Sequence, residues 1–338
     1  MDLHVIWFGL LGALLAGYAV LDGFDLGVGI LHPLAKTDEE RRIFVNAIGP
    51  LWDGNEVWLV TFGGALFAMF PEAYATVFSG FYLAFMLLLF GLIFRAVSLE
   101  FRGKIHSPRW RRFWDWSFFA SSTVATVIFG VAVGNAIKGI PLDERGVYTG
   151  GFFDLLQPYP VLIGLLAVAV FAMHGSMFLH LKTEGEVNER LGPWLWHTWG
   201  VFLVLYLLAT MYTLIAIPRA TANLERAPWL AAVMVVNVIA IANIPRAIFR
   251  GRYGQAFLSS TATIVCMVLL FGMALFPNLV TASNDPALSW TIVNAASSEK
   301  TMKIGLLIVA IGMPFILAYT SVIYWTFRGK VVLDEHAY

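Results

Sequence analysis

The sequence holds a single cysteine, Cys266, inside an apolar run. An internal disulfide and a cysteine-ligated zinc or iron–sulfur site are therefore excluded, and the attachment motif of a covalently bound haem is missing as well. Charge is scarce too: Asp, Glu, Lys and Arg make up 13% of the chain and sum to a formal net charge of zero. Without a basic excess, nucleic acid is not an expected partner. No Lys or Arg precedes the first apolar run, so the basic start of a cleaved signal peptide is absent and the run is expected to stay as a helix. No Gly-rich phosphate loop, nucleophile elbow or zinc motif is present, which argues against nucleotide-driven or hydrolytic chemistry in this chain.

What the chain has in excess is apolar sequence, 59% of its residues. Runs of about 20 such residues cross a bilayer as helices, which close every backbone hydrogen bond internally. Nine runs qualify: Val5 to Leu31, Leu51 to Phe70, Tyr74 to Glu100, Phe113 to Ile137, Tyr159 to Leu181, Trp196 to Ile217, Trp229 to Phe249, Ala256 to Val280 and Lys303 to Phe327. The expected fold class is an all-α integral membrane protein of nine transmembrane helices. We read it as one polytopic domain of two four-helix bundles, residues 1–137 and 159–282, with a peripheral ninth helix at 303–328. The tight turn at Met69-Phe70-Pro71-Glu72 predicts an antiparallel hairpin of helices two and three.

Basic residues set the orientation. Loops on one side carry fourteen Lys and Arg, among them Lys36, Arg41, Arg42, Arg102 and Arg111; the other side carries six, and Arg95 and Arg246 lie within helices. The richer side is expected to be cytoplasmic, with the amino terminus outside and the carboxyl terminus inside.

Acids inside these spans are the main functional signal. Asp22 and Asp25 sit in Leu21-Asp22-Gly23-Phe24-Asp25-Leu26-Gly27, and Asp53 and Glu56 in Trp52-Asp53-Gly54-Asn55-Glu56-Val57-Trp58. At about 1.5 Å per residue, Asp25 lies roughly 30 Å along the first helix, near the cytoplasmic face where helix two begins. Members of each pair are three residues apart and share a helix face. A carboxylate in a bilayer is costly and persists where it pairs, binds an ion or passes a proton. The functional reading is a proton entrance with Asp53 at its mouth, Glu56 one turn deeper and Asp25 and Asp22 at matching depth, supported by Trp52, Asn55 and Trp58. The bland reading is helix capping for Asp53, and backbone or Arg pairing for Asp22 and Asp25 while Gly23, Gly27 and Gly29 let helices pack closely.

Of the histidines His4, His32, His106, His174, His180, His197 and His336, only His174 is central in a span. It is either a haem ligand or, more commonly for its kind, a hydrogen bond between helices. No metal site is expected. Arg95 reads as a snorkelling cation, and Asp115 as an end-of-helix acid.

The run Leu21 to Gly29, followed by Glu40-Arg41-Arg42 and Trp52-Asp53-Gly54-Asn55-Glu56-Val57-Trp58-Leu59, resembles subunit II of cytochrome bd quinol oxidase. The likeness continues through Gly63-Gly64-Ala65-Leu66-Phe67-Ala68, Trp114-Asp115-Trp116, Gly130-Val131-Ala132-Val133-Gly134-Asn135 and Tyr148-Thr149-Gly150-Gly151, and is sparser beyond. The resemblance implies a heterodimer with a larger subunit I that carries low-spin haem b, high-spin haem b, haem d and the quinol site. Subunit II then ligates no haem, holds no catalytic residue, stabilises subunit I and supplies part of a cytoplasmic proton route. The acid that the family places on that route falls on Asp53. Some members bind a quinone within this subunit, and a small accessory subunit is a further candidate partner. Two positions depart from the pattern: Glu56 stands where some members have Gln, and His174 where Gln can stand. The expected protein is thus a quinol oxidase subunit, set in the lipid of a bacterial cytoplasmic (inner) membrane. Two other readings stay open. A proton-coupled transporter would show inverted repeats and broken helices. A purely structural scaffold would lose only assembly when its acids are replaced.

Overall fold

The computed structural model describes residues 2–333, leaving aside the side chain of Glu225; His336 lies outside them. The helices are α1 (Leu3–Leu31), α2 (Asp38–Ile48), α3 (Trp52–Met69), α4 (Pro71–Gly80), α5 (Tyr82–Phe101), α6 (Pro108–Lys138), α7 (Pro158–Lys182), α8 (Gly185–Ala216), α9 (Ala222–Arg226), α10 (Ala231–Phe249), α11 (Tyr253–Leu275) and α12 (Glu299–Thr326). Among the described residues eight, namely α1, α5, α6, α7, α8, α10, α11 and α12, are long and apolar enough to cross a membrane. The chain is an all-α integral membrane protein. The remaining expected span coincides with α3, whose first two turns hold Asp53, Asn55 and Glu56 and dilute its apolar content.

Several boundaries differ from the apolar runs, for local reasons. The run Tyr74 to Glu100 is two helices, with Tyr148 seated against Gly80 where they meet. The hydrogen bonds Phe81 N to Val77 O and Phe85 N to Phe81 O persist, so the ladder bends there rather than breaks. α11 stops at Leu275, not Val280, because Phe276 precedes Pro277 and is forced extended. Residues Asn278–Val280 instead form β1, which pairs antiparallel with β2 (Trp290–Thr291). The loop expected after helix one contains α2. Thr37 caps it by accepting from Glu40 N, acids fill its first turn, and Phe44, Val45 and Ile48 are buried. The sixth run begins at Gly185, well before Trp196, and continues through Pro193.

α1 is the hub, packed against α3, α6, α7 and α11. Glycines bring backbones together, as bilayer packing favours. A Cβ on Gly175 of α7 would lie 2.6 Å from the Gly27 backbone of α1, and one on Gly130 of α6 would lie 2.6 Å from Gly164 of α7. α12 sits at the edge, touching α1 and α3. The two long connections, residues 139–157 and 276–298, meet through Leu142 and Asn284 and through Trp290, whose ring lies against Gly146. They therefore share one face of the bundle, opposite the face that carries α2.

Candidate functional site

The glycines of α1 let neighbouring helices close over its acids. A Cβ on Gly27 would collide with the Phe171 carbonyl, and one on Gly23 would come 2.9 Å from the Phe171 ring. Asp22 and Asp25 are wholly buried as a result. Asp22 takes both arms of Arg95 from α5: Nη1 donates to Oδ2 at 2.7 Å, and Nη2 donates to Oδ1. Arg95, expected to snorkel, does not. It is buried, and the two-armed pair compensates a guanidinium that would otherwise be stranded at this depth.

Asp25 has a different kind of partner. Its Oδ2 accepts from Asn55 Nδ2 of α3 at 2.7 Å, while its Oδ1 has no hydrogen-bond partner. The same amide reaches Leu21 O at 3.3 Å, and Asn55 Oδ1 accepts from Tyr324 of α12 at 2.9 Å. Tyr324, Asn55 and Asp25 thus form one hydrogen-bonded chain across three helices.

α3 turns Asn55 inward and Asp53 outward, since residues two apart on a helix point about 200° apart. Asp53 is exposed in the first turn and Glu56 is half-buried. Neither side chain makes a hydrogen bond or ion pair among the described residues. Asp53, Val57, Val60, Gly64 and Phe67 recur at helical spacing and are all exposed, so the acid ends an uncovered apolar stripe. Trp58 packs against Gly17, and Trp52 against the cluster around α2. Beside Trp58, α1, α3 and α12 border a groove of about 290 Å³ lined by Val57, Thr61, Phe315 and Tyr319 among others. The four expected acids therefore do not form one cluster. The structure joins Asp25 to Asn55, pairs Asp22 with Arg95, and sets Asp53 on the opposite side of α3.

His174 has both ring nitrogens engaged. Nε2 donates to Val20 O at 3.1 Å, Nδ1 bonds Ser260 Oγ at 2.7 Å, and the ring stacks on Phe257 with centroids 4.6 Å apart. These bonds tie α7 to α1 and α11, and such a residue does not fit axial ligation of a haem. Among the described residues no group of three or more His, Cys, Asp or Glu could hold a metal.

A second polar cluster lies on the basic-rich face. Asp115 is more than an end-of-helix acid: its Oδ1 accepts from Arg102 Nε at 2.6 Å and lies 2.8 Å from His32 Nε2. Arg102 and Arg111 both hold Asp38, each at 2.7 Å. Glu40 accepts from Lys36 N at 2.6 Å and pairs with Arg190 of α8. Burial acts to raise its carboxyl, but these donors outweigh it and hold it below its ordinary value of 4.5.

Two members of the site were missed from the sequence. Arg95 had a signal, since a cation inside an apolar run needs an acid and few acids lie at its depth. Tyr324 had none, because nothing in one sequence tells which distant helix its hydroxyl meets.

Known proteins resemble this chain over nearly its whole length. The family described as Cytochrome bd terminal oxidase subunit II matches residues 3–327. Cytochrome bd-I ubiquinol oxidase subunit 2 of Escherichia coli (strain K12) is 36% identical over 364 residues, covering 98% of this chain and 96% of that protein. Cytochrome bd ubiquinol oxidase subunit 2 of Bacillus subtilis (strain 168) is 32% identical over 335 residues, covering 99% and 98%. A chain of the bd oxidase structure from Geobacillus thermodenitrificans has the same fold, with a TM-score of 0.79 at 17% identity, covering 97% of this chain and 99% of that one.

Proposed function

This chain belongs to the cytochrome bd terminal oxidase subunit II family, and from that premise we propose how it serves the oxidase. As a family member it is a multi-pass membrane subunit of a quinol oxidase, an oxidoreductase complex that contains haem and a partner subunit I. The transporter reading falls with this membership. In our reading the partner carries low-spin haem b, high-spin haem b, haem d and the quinol site, and this chain steadies it. The bundles at residues 1–137 and 159–282 and the helix at 303–328 form that support, with the basic-rich face cytoplasmic.

This chain's chemical task, as we read it, is to deliver protons from the cytoplasm for the reduction of oxygen to water. Asp53 receives them at the mouth of α3, and Glu56 is the next acid inward. Asp25 is the buried carrier, and Asn55 orients it. Asp22 is assigned to structure, because Arg95 holds both its oxygens. The observation that carries the reading is the 2.7 Å link from Asn55 to Asp25, with Asp53 on the uncovered face of the same helix. A carboxyl oxygen free of partners, next to a neutral amide and not a cation, suits a group that gains and loses a proton. The apolar groove beside Trp58 is the place we assign to a bound quinone, its walls suited to an isoprenoid tail and Thr61 and Tyr319 to a polar head.

Asp53→Asn in the assembled oxidase is the test. It should leave haem content unchanged and slow turnover by about tenfold, equivalent to about 1.4 kcal/mol of barrier. Normal quinol oxidation with normal charge separation would refute the entrance.

A further inference from the structure

Of the eight described side-chain atoms on α1 with its terminal turn, α5 and α6 that are buried without a hydrogen-bond partner, two are Arg111 Nε and Trp114 Nε1, and the other six are Tyr18 Oη, Arg95 Nε, Asp25 Oδ1, Ser122 Oγ, His32 Nδ1 and Asp115 Oδ2. These six are not scattered. Tyr18, Asp22, Asp25, Gly29 and His32 follow one another at steps of four, three, four and three residues, which is a single stripe along α1 and its terminal turn. Asp115 and Ser122 are seven residues apart and share a face of α6. The two stripes touch. His32 meets Asp115 at 2.8 Å, and the Ser122 side chain lies so close to Gly29 that any side chain there would collide with it.

Bare polar atoms inside a protein are costly, and native interiors meet them with ordered water. The spacing suits that solution. Steps of three and four residues rise about 4.5 and 6 Å, and two hydrogen bonds of about 2.8 Å through one water span a similar gap. We infer that a file of ordered water fills the seam between α1, α5 and α6 and conducts protons from His32 and Asp115 to Asp25. This rests on the reading of Asp25 as a proton carrier.

The neighbouring cations do not close the route. Asp22 neutralises Arg95, and Asp115 and Asp38 neutralise Arg102. Around His32 stand Asp115, Arg102, Arg41 (3.8 Å from Asp115) and the rings of Phe44 and Phe118. In each hop one O–H or N–H bond forms ahead as one breaks behind, so only a proton moves and nothing is oxidised. This second entrance lies inside the chain, whereas Asp53 faces outward from α3.

The test is a structure of the assembled oxidase at a resolution that shows water, together with Ser122→Val. Water density within hydrogen-bond reach of Asp25 Oδ1, Ser122 Oγ and His32 Nδ1 is expected; a dry seam overturns the inference. Ser122→Val removes the hydroxyl and fills its space. It should slow proton uptake by about tenfold with unchanged haem spectra. Normal uptake in Ser122→Val beside slow uptake in Asp53→Asn overturns the seam and leaves the Asp53 entrance standing. The opposite pattern supports the seam and removes Asp53. Should Ser122→Val not assemble, the water density of the unaltered complex decides alone.

Discussion

α1 and α3 carry the same device, two acids three residues apart among glycines, and the fold treats them in opposite ways. On α1 both acids are buried with polar partners. On α3 Asp53 is exposed, Glu56 is half-buried, and neither side chain is bonded. The glycines account for the difference. Gly23, Gly27 and Gly29 each have a neighbouring helix in contact, whereas Gly54, Gly63 and Gly64 meet nothing within 4 Å. A glycine beside an acid therefore marks a close approach of helices on α1 and an uncovered face on α3. In our reading that face is the one subunit I covers.

The largest expected effect is at Arg95. Arg95→Met strands a buried Asp22 and should cost about 3–5 kcal/mol, seen as lost assembly or a much lower melting temperature. Adding Asp22→Asn should recover most of that loss, because no buried charge is then unpaired. A well-assembled single variant would contradict the structural role of the pair. Next come the glycines. Gly175→Ala forces a methyl onto the Gly27 backbone and should cost about 1–3 kcal/mol. Gly54→Ala adds its methyl to open space and should leave the chain itself stable while weakening its hold on subunit I. Equal losses in the two variants would erase the contrast between the faces.

Smaller effects sharpen the inner site. Tyr324→Phe removes one hydrogen bond to Asn55, worth roughly 1 kcal/mol. It should shift the pH profile of turnover without changing haem content, and an unmoved profile would remove Tyr324 from the site. The smallest expected effect is at Glu40. Its folded carboxyl lies below the ordinary 4.5. The stability it contributes is therefore fully present above 4.5 and is lost as pH falls through the lower folded value. Glu40→Gln should be destabilising near neutral pH by on the order of 0.5 kcal/mol, given a half-exposed Arg190 partner. Melting curves at neutral and acidic pH should converge, and a constant gap would contradict the assignment.

Much of this was legible in the sequence because bilayers impose simple rules. Apolar length located the spans, and acids within them marked α1 and α3. The shared depth of Asp25 and helix two is realised in the Asn55 contact. What was not legible depends on tertiary partners. Asp22 and Asp25 looked equivalent until Arg95 chose one of them. His174 looked open to ligation until Ser260 and Val20 took its nitrogens. α2 escaped an apolar-run reading because its pattern is amphipathic, and Pro277 and the Tyr148 contact set helix ends that hydropathy does not register.

In the proposed route Asp25 carries protons while Asp22 only holds the fold. The most direct measurement is proton uptake by the assembled oxidase in vesicles, comparing Asp25→Asn with the unaltered complex. The expected result is full haem content with uptake and turnover slowed together; uptake at the normal rate, with an unchanged pH profile, would contradict it.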